Sequence, residues 1–337
     1  MCLAIQAREK TNHILNKLDW RRGKEGEDHF GQFSGCNQKT DGLSCVVPTT
    51  IDLIPPVKNN SISRRNFLTV AGAAVAGLAA QATTGTAFAV LATGETAPGK
   101  KKYPIGLELY SVRNELARDL PNMLRTVAKM GYEAVEFYAP YFNWTIPYAK
   151  EVRTLMDDSR LRCYSTHNDF QSFTPGGTMA KAVELNQILG TRFLILASEP
   201  GGINGLDGWK KLCEQLTTAS AQLKPHGLSA GFHNHGTEWA KLDGDQRIMD
   251  FIAANTPKEF VLQLDVGTCV AAGADPVAWI QANPGRIRSA HPKDWAPGSE
   301  ADEKSYRVLF GEGVSPWKEI IAALESAGGV EYYLIEQ

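Results

Sequence analysis

Residues that can bind a metal ion follow four apolar runs in the second half of the chain. The runs and the residues after them are 229–232 with His233 and His235, 261–264 with Asp265, 287–290 with His291, and 332–335 with Glu336. If each run is a parallel strand followed by a helix, the carboxyl ends of the strands meet on one face. Imidazole and carboxylate groups on one rim are typical ligands of a divalent metal, so the spacing predicts a metal centre.

Two of these positions have more than one interpretation. His233 and His235 are two residues apart, so on a strand they face the same way, and one would bind metal while the other contacts substrate. Asp265 has an alternative role as a cap on the element that follows its strand. Lys293 lies close to His291 on the same rim and is either a substrate contact or a solvated loop charge.

Three earlier residues fall at the ends of predicted strands and are further site candidates. His167 follows a predicted third strand, where it would bind substrate or transfer a proton. Glu108 and Glu136 lie near the ends of the first and second predicted strands, and a buried carboxylate needs a partner or a function. We therefore expect Glu108 to contact substrate and Glu136 to take part in catalysis.

Alternating strand and helix patterns from residue 103 onward predict an α/β fold, a TIM (β/α)8 barrel. The strands are predicted at 105–109, 134–137, 161–165, 193–197, 229–232, 261–264, 287–290 and 332–335. Two helices carry start signals, Asp275 before Pro276 and Ser315 before Pro316, each an N-cap followed by proline. The sequence stops directly after the eighth strand, so the final helix of the barrel is expected to be missing.

The composition is that of an enzyme with a large core. The 337 residues are 43% hydrophobic and 21% charged, which suits one α/β barrel with an extension. A net charge of -2 argues against nucleic acid or an anionic membrane surface as a partner. The cysteines show no metal-type spacing.

The first hundred residues predict export. Arg64 and Arg65, followed by Phe67 and a weakly apolar stretch, are typical of a twin-arginine signal peptide, which we place at 63–89 with a cleavage pattern at 87–89. Before it lies a polar extension, 1–62, that is either disordered or not translated, and after it a linker, 90–102. The barrel, 103–337, would use the twin-arginine export machinery and reach the periplasm or another extracytoplasmic site. An uncleaved, membrane-anchored form is the alternative.

Several short motifs together resemble one known family. They are GLELYSVR at 106–113, GYEAVEF at 131–137, GFHNHGTEW at 231–239, LDVG at 264–267, HPKD at 291–294 and EQ at 336–337. As a set they resemble the xylose isomerase-like TIM-barrel family, the sugar phosphate isomerase/epimerase group, which is related to endonuclease IV. The resemblance covers about residues 103–337.

The resemblance implies one divalent metal, Mn²⁺ or Zn²⁺ first and Mg²⁺ or Co²⁺ as alternatives. Its ligands would be His233, Asp265, His291 and Glu336, with Glu336 also catalytic. In the family's epimerases the first of these positions is a glutamate that moves a proton, and here His233 stands in its place. The change keeps a metal ligand but removes half of a two-carboxylate proton relay, so the base is left among His167, Glu136 and the free histidine of the 233/235 pair.

Three functions follow from the resemblance, all with a small carbohydrate as ligand. The first is a metal-dependent isomerase or epimerase that polarises a carbonyl and forms an enediolate. The second is a lyase or hydratase of keto-sugars or 3-keto-glycosides, and the third is a noncatalytic sugar-binding barrel. DNA repair is disfavoured because Thr268 stands where a further histidine would be expected and the chain is not basic.

Overall fold

The computed structural model describes residues 103–298 and 303–336. The predicted polar extension 1–62, the predicted signal peptide 63–89 and the predicted linker 90–102 lie outside the described residues. None of the described helices is long and apolar enough to cross a membrane.

Eight parallel strands close into a barrel, as the alternating pattern predicts. They are β1 Ile105–Glu108, β2 Ala134–Phe137, β3 Arg162–Asn168, β4 Phe193–Leu196, β5 Ser229–His233, β8 Val261–Asp265, β9 Ser289–His291 and β10 Tyr332–Ile335. Two short antiparallel strands, β6 Lys241–Asp243 and β7 Gln246–Arg247, form a separate hairpin. The barrel order is β1-β10-β9-β8-β5-β4-β3-β2, and β10 closes on β1. The TIM-barrel prediction is confirmed.

Helices follow the barrel strands in the described part of the chain. They are α1 Arg113–Arg118, α2 Leu120–Lys129, α3 Ile146–Asp158, α4 Met179–Leu189, α5 Gly205–Leu223, α6 Ile248–Ala254, α7 Val266–Ala271, α8 Pro276–Ala282 and α9 Trp317–Ala323. Strands such as β4 are buried at every residue because helices cover one face and the barrel interior the other.

Glycine is required where barrel strands come closest. A Cβ on Gly231 of β5 would lie 2.5 Å from Ile195 Cδ1 and 2.8 Å from the Val261 carbonyl oxygen. Since both neighbours belong to adjacent strands, the contact cannot relax by moving an exposed side chain. Gly231 therefore lets β5 carry His233 to the rim without distorting its neighbours.

One of the two predicted helix starts is correct and the other is wrong. Asp275 caps α8, and its Oδ1 accepts hydrogen bonds from the backbone N–H groups of Val277 and Ala278. Ser315 does not cap α9, because Pro316 has a non-helical ψ of 71° and itself becomes the N-cap. The helix begins one residue later, and the buried Ser315 hydroxyl has no hydrogen-bond partner.

Asp294 fastens the segment after β9 to α9. Its buried carboxylate accepts hydrogen bonds of 2.9 Å from the backbone N–H groups of Trp295, Gly311 and Gly313, and from the Trp317 indole. Four N–H donors converge on this one carboxylate, which fixes its position in the loop. This anchor holds the loop that follows His291, and hence the rim beside it.

Substituting Asp294 by asparagine should destabilise the barrel by about 2–3 kcal/mol, because an amide N–H would face N–H donors in a buried place. The measurement is the free energy of unfolding in denaturant. Asp275→Asn is the matched control, since asparagine caps an exposed helix as well as aspartate and should change stability by less than about 0.5 kcal/mol. Equal stability of the two variants would contradict the anchoring role.

Candidate active site

A cavity of about 510 Å³ opens at the carboxyl end of the barrel. Its lining consists of Glu108, Tyr110, Tyr138, Ala139, Phe142, His167, Asn168, Asp169, Ala197, Ser198, His233, His235, Lys293 and Glu336. Six of the candidate residues from the sequence belong to this lining. The other three, Glu136, Asp265 and His291, are buried and do not line the cavity.

The predicted metal ligands come together on the barrel rim. Ligand atoms of His233, Asp265 and Glu336 all lie within 4.8 Å of one another. His291, at the end of β9, joins them because its Nδ1 lies 2.9 Å from Glu336 Oε2. The register of the sheet produces this convergence, since Asp265 and His291 are paired residues of neighbouring parallel strands.

Asp265 caps the element after its strand and also lies among the predicted metal ligands. Its Oδ1 accepts a hydrogen bond of 2.9 Å from Thr268 N–H and so caps α7. Its Oδ2 instead faces Lys293, whose Nζ is 3.9 Å away. Asn234 holds this strand end in place, because its amide oxygen accepts from Asp265 N–H and its amide nitrogen donates to Thr268 Oγ1.

Glu136 is the centre of a buried polar network below the cavity. Its Oε2 lies 3.0 Å from His291 Nε2 and 3.2 Å from His167 Nε2. Its Oε1 accepts hydrogen bonds from Ser165 Oγ and, at 2.9 Å, from Gln263 Nε2. Both oxygens of Glu136 are therefore already engaged, and the side chain is completely buried.

Gln263 sets the orientation of two histidine rings. Its amide nitrogen donates to Glu136 and to Ser289 Oγ, so its Oε1 points the other way, 2.7 Å from His167 Nε2 and 3.0 Å from His233 Nδ1. An amide oxygen only accepts, so we assign the ring protons to those two nitrogens. His167 Nδ1 and His233 Nε2 then carry the lone pairs. Burial lowers the pKa of both rings, which favours their neutral forms.

His291 and Lys293 lie among the carboxylates of the site, and these carboxylates favour the positively charged form of both groups. Burial opposes protonation of His291, but hydrogen bonds to Glu136 and Glu336 raise its pKa to about 9. Burial alone would raise the pKa of Glu336, yet the hydrogen bond from His291 and the charge of Lys293 hold it well below its usual range. Lys293 Nζ lies 3.2 Å from Glu336 Oε1. The buried carboxylates thus create a place that favours positive charge.

Glu108 has one oxygen without a partner. Its Oε1 accepts a hydrogen bond of 3.2 Å from Tyr110 N–H, while the buried Oε2 accepts none. Glu108 and Glu136 are paired residues of β1 and β2, so the two carboxylates are close neighbours. Burial, followed by the charges of Glu136 and Glu336, raises the pKa of Glu108 well above its usual range. The raised pKa favours the protonated form of Glu108, whose O–H group would be a hydrogen-bond donor.

His235 lies beyond the end of β5 yet lines the same cavity as His233. The two ring centroids are 5.0 Å apart, with His235 exposed and His233 buried. The geometry favours His233 as the ligand and His235 as the substrate contact, because only His233 has a donor atom close to Asp265 and Glu336.

Gln263, Ser165 and Ser289 were not among the residues predicted from the sequence, and their side chains complete the network around Glu136. A signal for Gln263 was available: it lies two residues before Asp265 on the same strand, so both project to the same side. A glutamine inside an otherwise apolar strand is expensive to bury unless it is hydrogen-bonded.

Comparisons with known proteins agree with this fold. A family described as xylose isomerase-like TIM barrel matches residues 124–337. No curated protein sequence matches the chain.

Solved structures with the same fold have low sequence identity. A sugar phosphate isomerase/epimerase from Parabacteroides distasonis ATCC 8503 is 24% identical, covering 71% of this chain and 88% of its own, with a TM-score of 0.56. A probable 3-DHS dehydratase of petrobactin synthesis from Bacillus anthracis is 15% identical, covering 70% and 92%, with a TM-score of 0.53. The IOLI protein, solved with a zinc atom, is 14% identical, covering 69% and 88%, with a TM-score of 0.55.

The similarity to these solved structures concerns the fold alone. The family match is a sequence match that spans most of the barrel, from α2 to the residues after β10. The chain therefore belongs to the xylose isomerase-like TIM barrel family.

Proposed function

We propose that this protein is a metal-dependent isomerase or epimerase that acts on a carbohydrate by removing a proton next to a carbonyl group. The observation that carries the proposal is the convergence of His233, Asp265, His291 and Glu336 beside a cavity of about 510 Å³. The cavity wall adds hydrogen-bonding groups from Glu108, which suits a ligand rich in hydroxyls.

The residues present fit the metal that the family implies. Two carboxylates and two imidazoles are a donor set that Zn²⁺ or Mn²⁺ accepts, and the buried charge favours a cation. His233, Asp265, His291 and Glu336 would hold it. When bound, such an ion polarises a sugar carbonyl and stabilises an enediolate.

His167 is the best-placed base among the three candidates. It lines the cavity, its pKa is lowered by burial, and its Nδ1, which has no hydrogen-bond partner among the described residues, carries the lone pair. Glu136 is less suitable, because both of its oxygens are engaged below the cavity. We therefore assign proton removal to His167 and the orientation of His167 and His291 to Glu136, while His235 and Lys293 contact the substrate.

A panel of ketoses, aldoses and 3-keto-glycosides incubated in deuterated water tests the proposal. The native protein should incorporate deuterium at the carbon next to the carbonyl, and His167→Gln should do so at least about a hundredfold more slowly. His226→Gln, at an exposed position in the short 3-10 helix Lys224–His226, is the matched control and should exchange normally. A product that retains all of the original hydrogen would overturn the mechanism, and sugar binding without any exchange would indicate a noncatalytic barrel.

A lyase acting on keto-sugars or 3-keto-glycosides is the second candidate, and Glu108 favours it. Elimination from an enediolate requires an acid that protonates the departing oxygen, and Glu108 presents an unpartnered buried oxygen on the cavity wall. Burial and the charges of Glu136 and Glu336 raise its pKa, which favours the protonated form that such an acid needs. Release of a free alcohol or water from the panel, rather than an epimer, would identify this reaction.

We also propose that the protein is exported by the twin-arginine route, on the basis of Arg64 and Arg65 in the sequence. If both arginines are replaced by lysine, the mature protein should stay in the cytoplasm, because the export machinery reads the arginine pair. Cell fractionation and immunoblotting measure the distribution. A matched double replacement of Lys100 and Lys101 by arginine, after the proposed signal, should leave export unchanged. Undiminished export of the first variant would contradict the proposal.

A further inference from the structure

A second cavity, of about 410 Å³, lies beside the first at the carboxyl end of the barrel. It is formed by residues 116–121, which follow β1, and by residues between 137 and 148, which follow β2. Tyr138 lines both cavities. The two cavities therefore adjoin at Tyr138, and we call the second one the aromatic groove.

Five aromatic side chains line the aromatic groove, and three of them, Tyr138, Trp144 and Tyr148, are only partly buried. Trp144 is supported from two sides, since its ring is 5.1 Å from that of Phe137 and 5.3 Å from that of Tyr148, both edge-on. This packing fixes the position of the indole before any ligand arrives. Rigid aromatic rings provide large contact areas at little cost in conformational entropy, which suits the apolar faces of a sugar ring.

Polar groups at the edge of the groove point to a hydroxylated ligand. The Arg118 guanidinium is exposed and has neither a hydrogen bond nor an ion pair with any described residue. Asp119 beside it uses Oδ1 to cap α2 through Asn122 N–H at 3.0 Å, and its other oxygen has no partner in the same part of the structure. A planar guanidinium with a neighbouring carboxylate can hydrogen-bond adjacent hydroxyls, whereas a purely apolar ligand would leave both unused.

We propose that the aromatic groove is a subsite for the second sugar ring of a glycoside whose reacting sugar occupies the reaction cavity. The inference rests on the proposed function for the placement of the reacting ring. It specifies the substrate class as a disaccharide or a longer glycoside rather than a free monosaccharide. Arg118 and Trp144 are then specificity-determining residues that act away from the reacting atoms.

Binding at equilibrium tests the subsite without turnover. Calorimetric titrations of the full chain would compare glucose and galactose with cellobiose, maltose, lactose and sucrose. We expect one or more disaccharides to bind at least tenfold more tightly than the better of their component sugars. Trp144→Ala should reduce that ratio to about one while changing monosaccharide affinity by less than about twofold.

A second variant guards against misfolding of Trp144→Ala, because Arg118 is exposed and can be replaced without disturbing the core. Arg118→Ala should lower disaccharide affinity at least threefold, whereas Arg125→Ala, at an exposed position on α2 outside the groove, should have no effect. Equal affinity for monosaccharides and disaccharides, or a disaccharide preference that survives in both groove variants, would overturn the subsite. A preference for aryl glycosides that depends on Trp144, without any preference for disaccharides, would also overturn the subsite.

The two proposals fail separately. A disaccharide preference that depends on the groove, without deuterium exchange in any sugar, would retain the subsite and refute the enzymatic proposal. Deuterium exchange in monosaccharides without a disaccharide preference would retain the enzymatic proposal and refute the subsite.

Discussion

Replacing Asp265 with alanine should remove most of the bound metal and lower turnover by about a hundredfold or more. The substitution removes an anionic ligand from a buried place, so the remaining carboxylate, Glu336, balances the cation less well. Elemental analysis of the purified variant gives the metal content per chain. Full occupancy in Asp265→Ala would contradict the assignment of this residue as a ligand.

The double role of Asp265 requires a second variant. Alanine also removes the cap that Asp265 Oδ1 provides to Thr268 N–H, which should cost about 1 kcal/mol of stability. Asp265→Asn preserves that cap but replaces the anionic ligand with a neutral amide. We expect it to fold as well as the native chain and still lose most of its metal. Asp275→Ala, which removes an exposed cap alone, should lower stability without changing metal content.

Replacing Glu136 with glutamine should weaken metal affinity about 10- to 100-fold and lower turnover by a similar factor or more. The reason is geometric, because Glu136 Oε2 accepts a hydrogen bond from His291 Nε2 at 3.0 Å and lies 3.2 Å from His167 Nε2, whose proton is donated to Gln263 Oε1. A glutamine has only one acceptor oxygen. Its amide N–H groups would therefore point either at the histidine rings or at the donors on the other side, Ser165 Oγ and Gln263 Nε2. The rings of His167 and His291 would then no longer be held in the orientation that sets the direction of their Nδ1 atoms.

Nitrogen-15 NMR of the histidine rings distinguishes this positioning role from general destabilisation. In the native protein the Nε2 atoms of His167 and His291 should carry protons, and Glu136→Gln should shift the tautomer balance at one or both rings. Glu151→Gln, an exposed carboxylate on α3, is the matched control and should leave the ring signals and metal affinity unchanged. Native ring signals with native metal affinity in Glu136→Gln would refute the positioning role.

The sequence by itself was enough to predict the barrel and the face that carries the site. Strand lengths, apolar runs and glycine stops predicted all eight strands, because a strand covered on both faces is rich in apolar residues. Residues that directly follow such strands must lie on one rim, whatever the details of packing. The sequence therefore predicts that Asp265, His291 and Glu336 lie together. The resemblance to the family further implied that His233 stands where its epimerases have a glutamate.

Only the tertiary structure decided what each polar residue contacts. The pairing of Gln263 with Glu136 joins β8 to β2 across the barrel, and its geometry depends on how far the closed strands are staggered. The same closure places Glu136 below the cavity and leaves Glu108, its partner in register, with an unpaired oxygen on the wall. Likewise, the aromatic groove forms where residues 116–121, after β1, meet residues between 137 and 148, after β2. No periodicity in the sequence relates these two segments. Periodicity reports which face a residue occupies, whereas hydrogen bonds and cavities depend on distances between elements that no local pattern encodes.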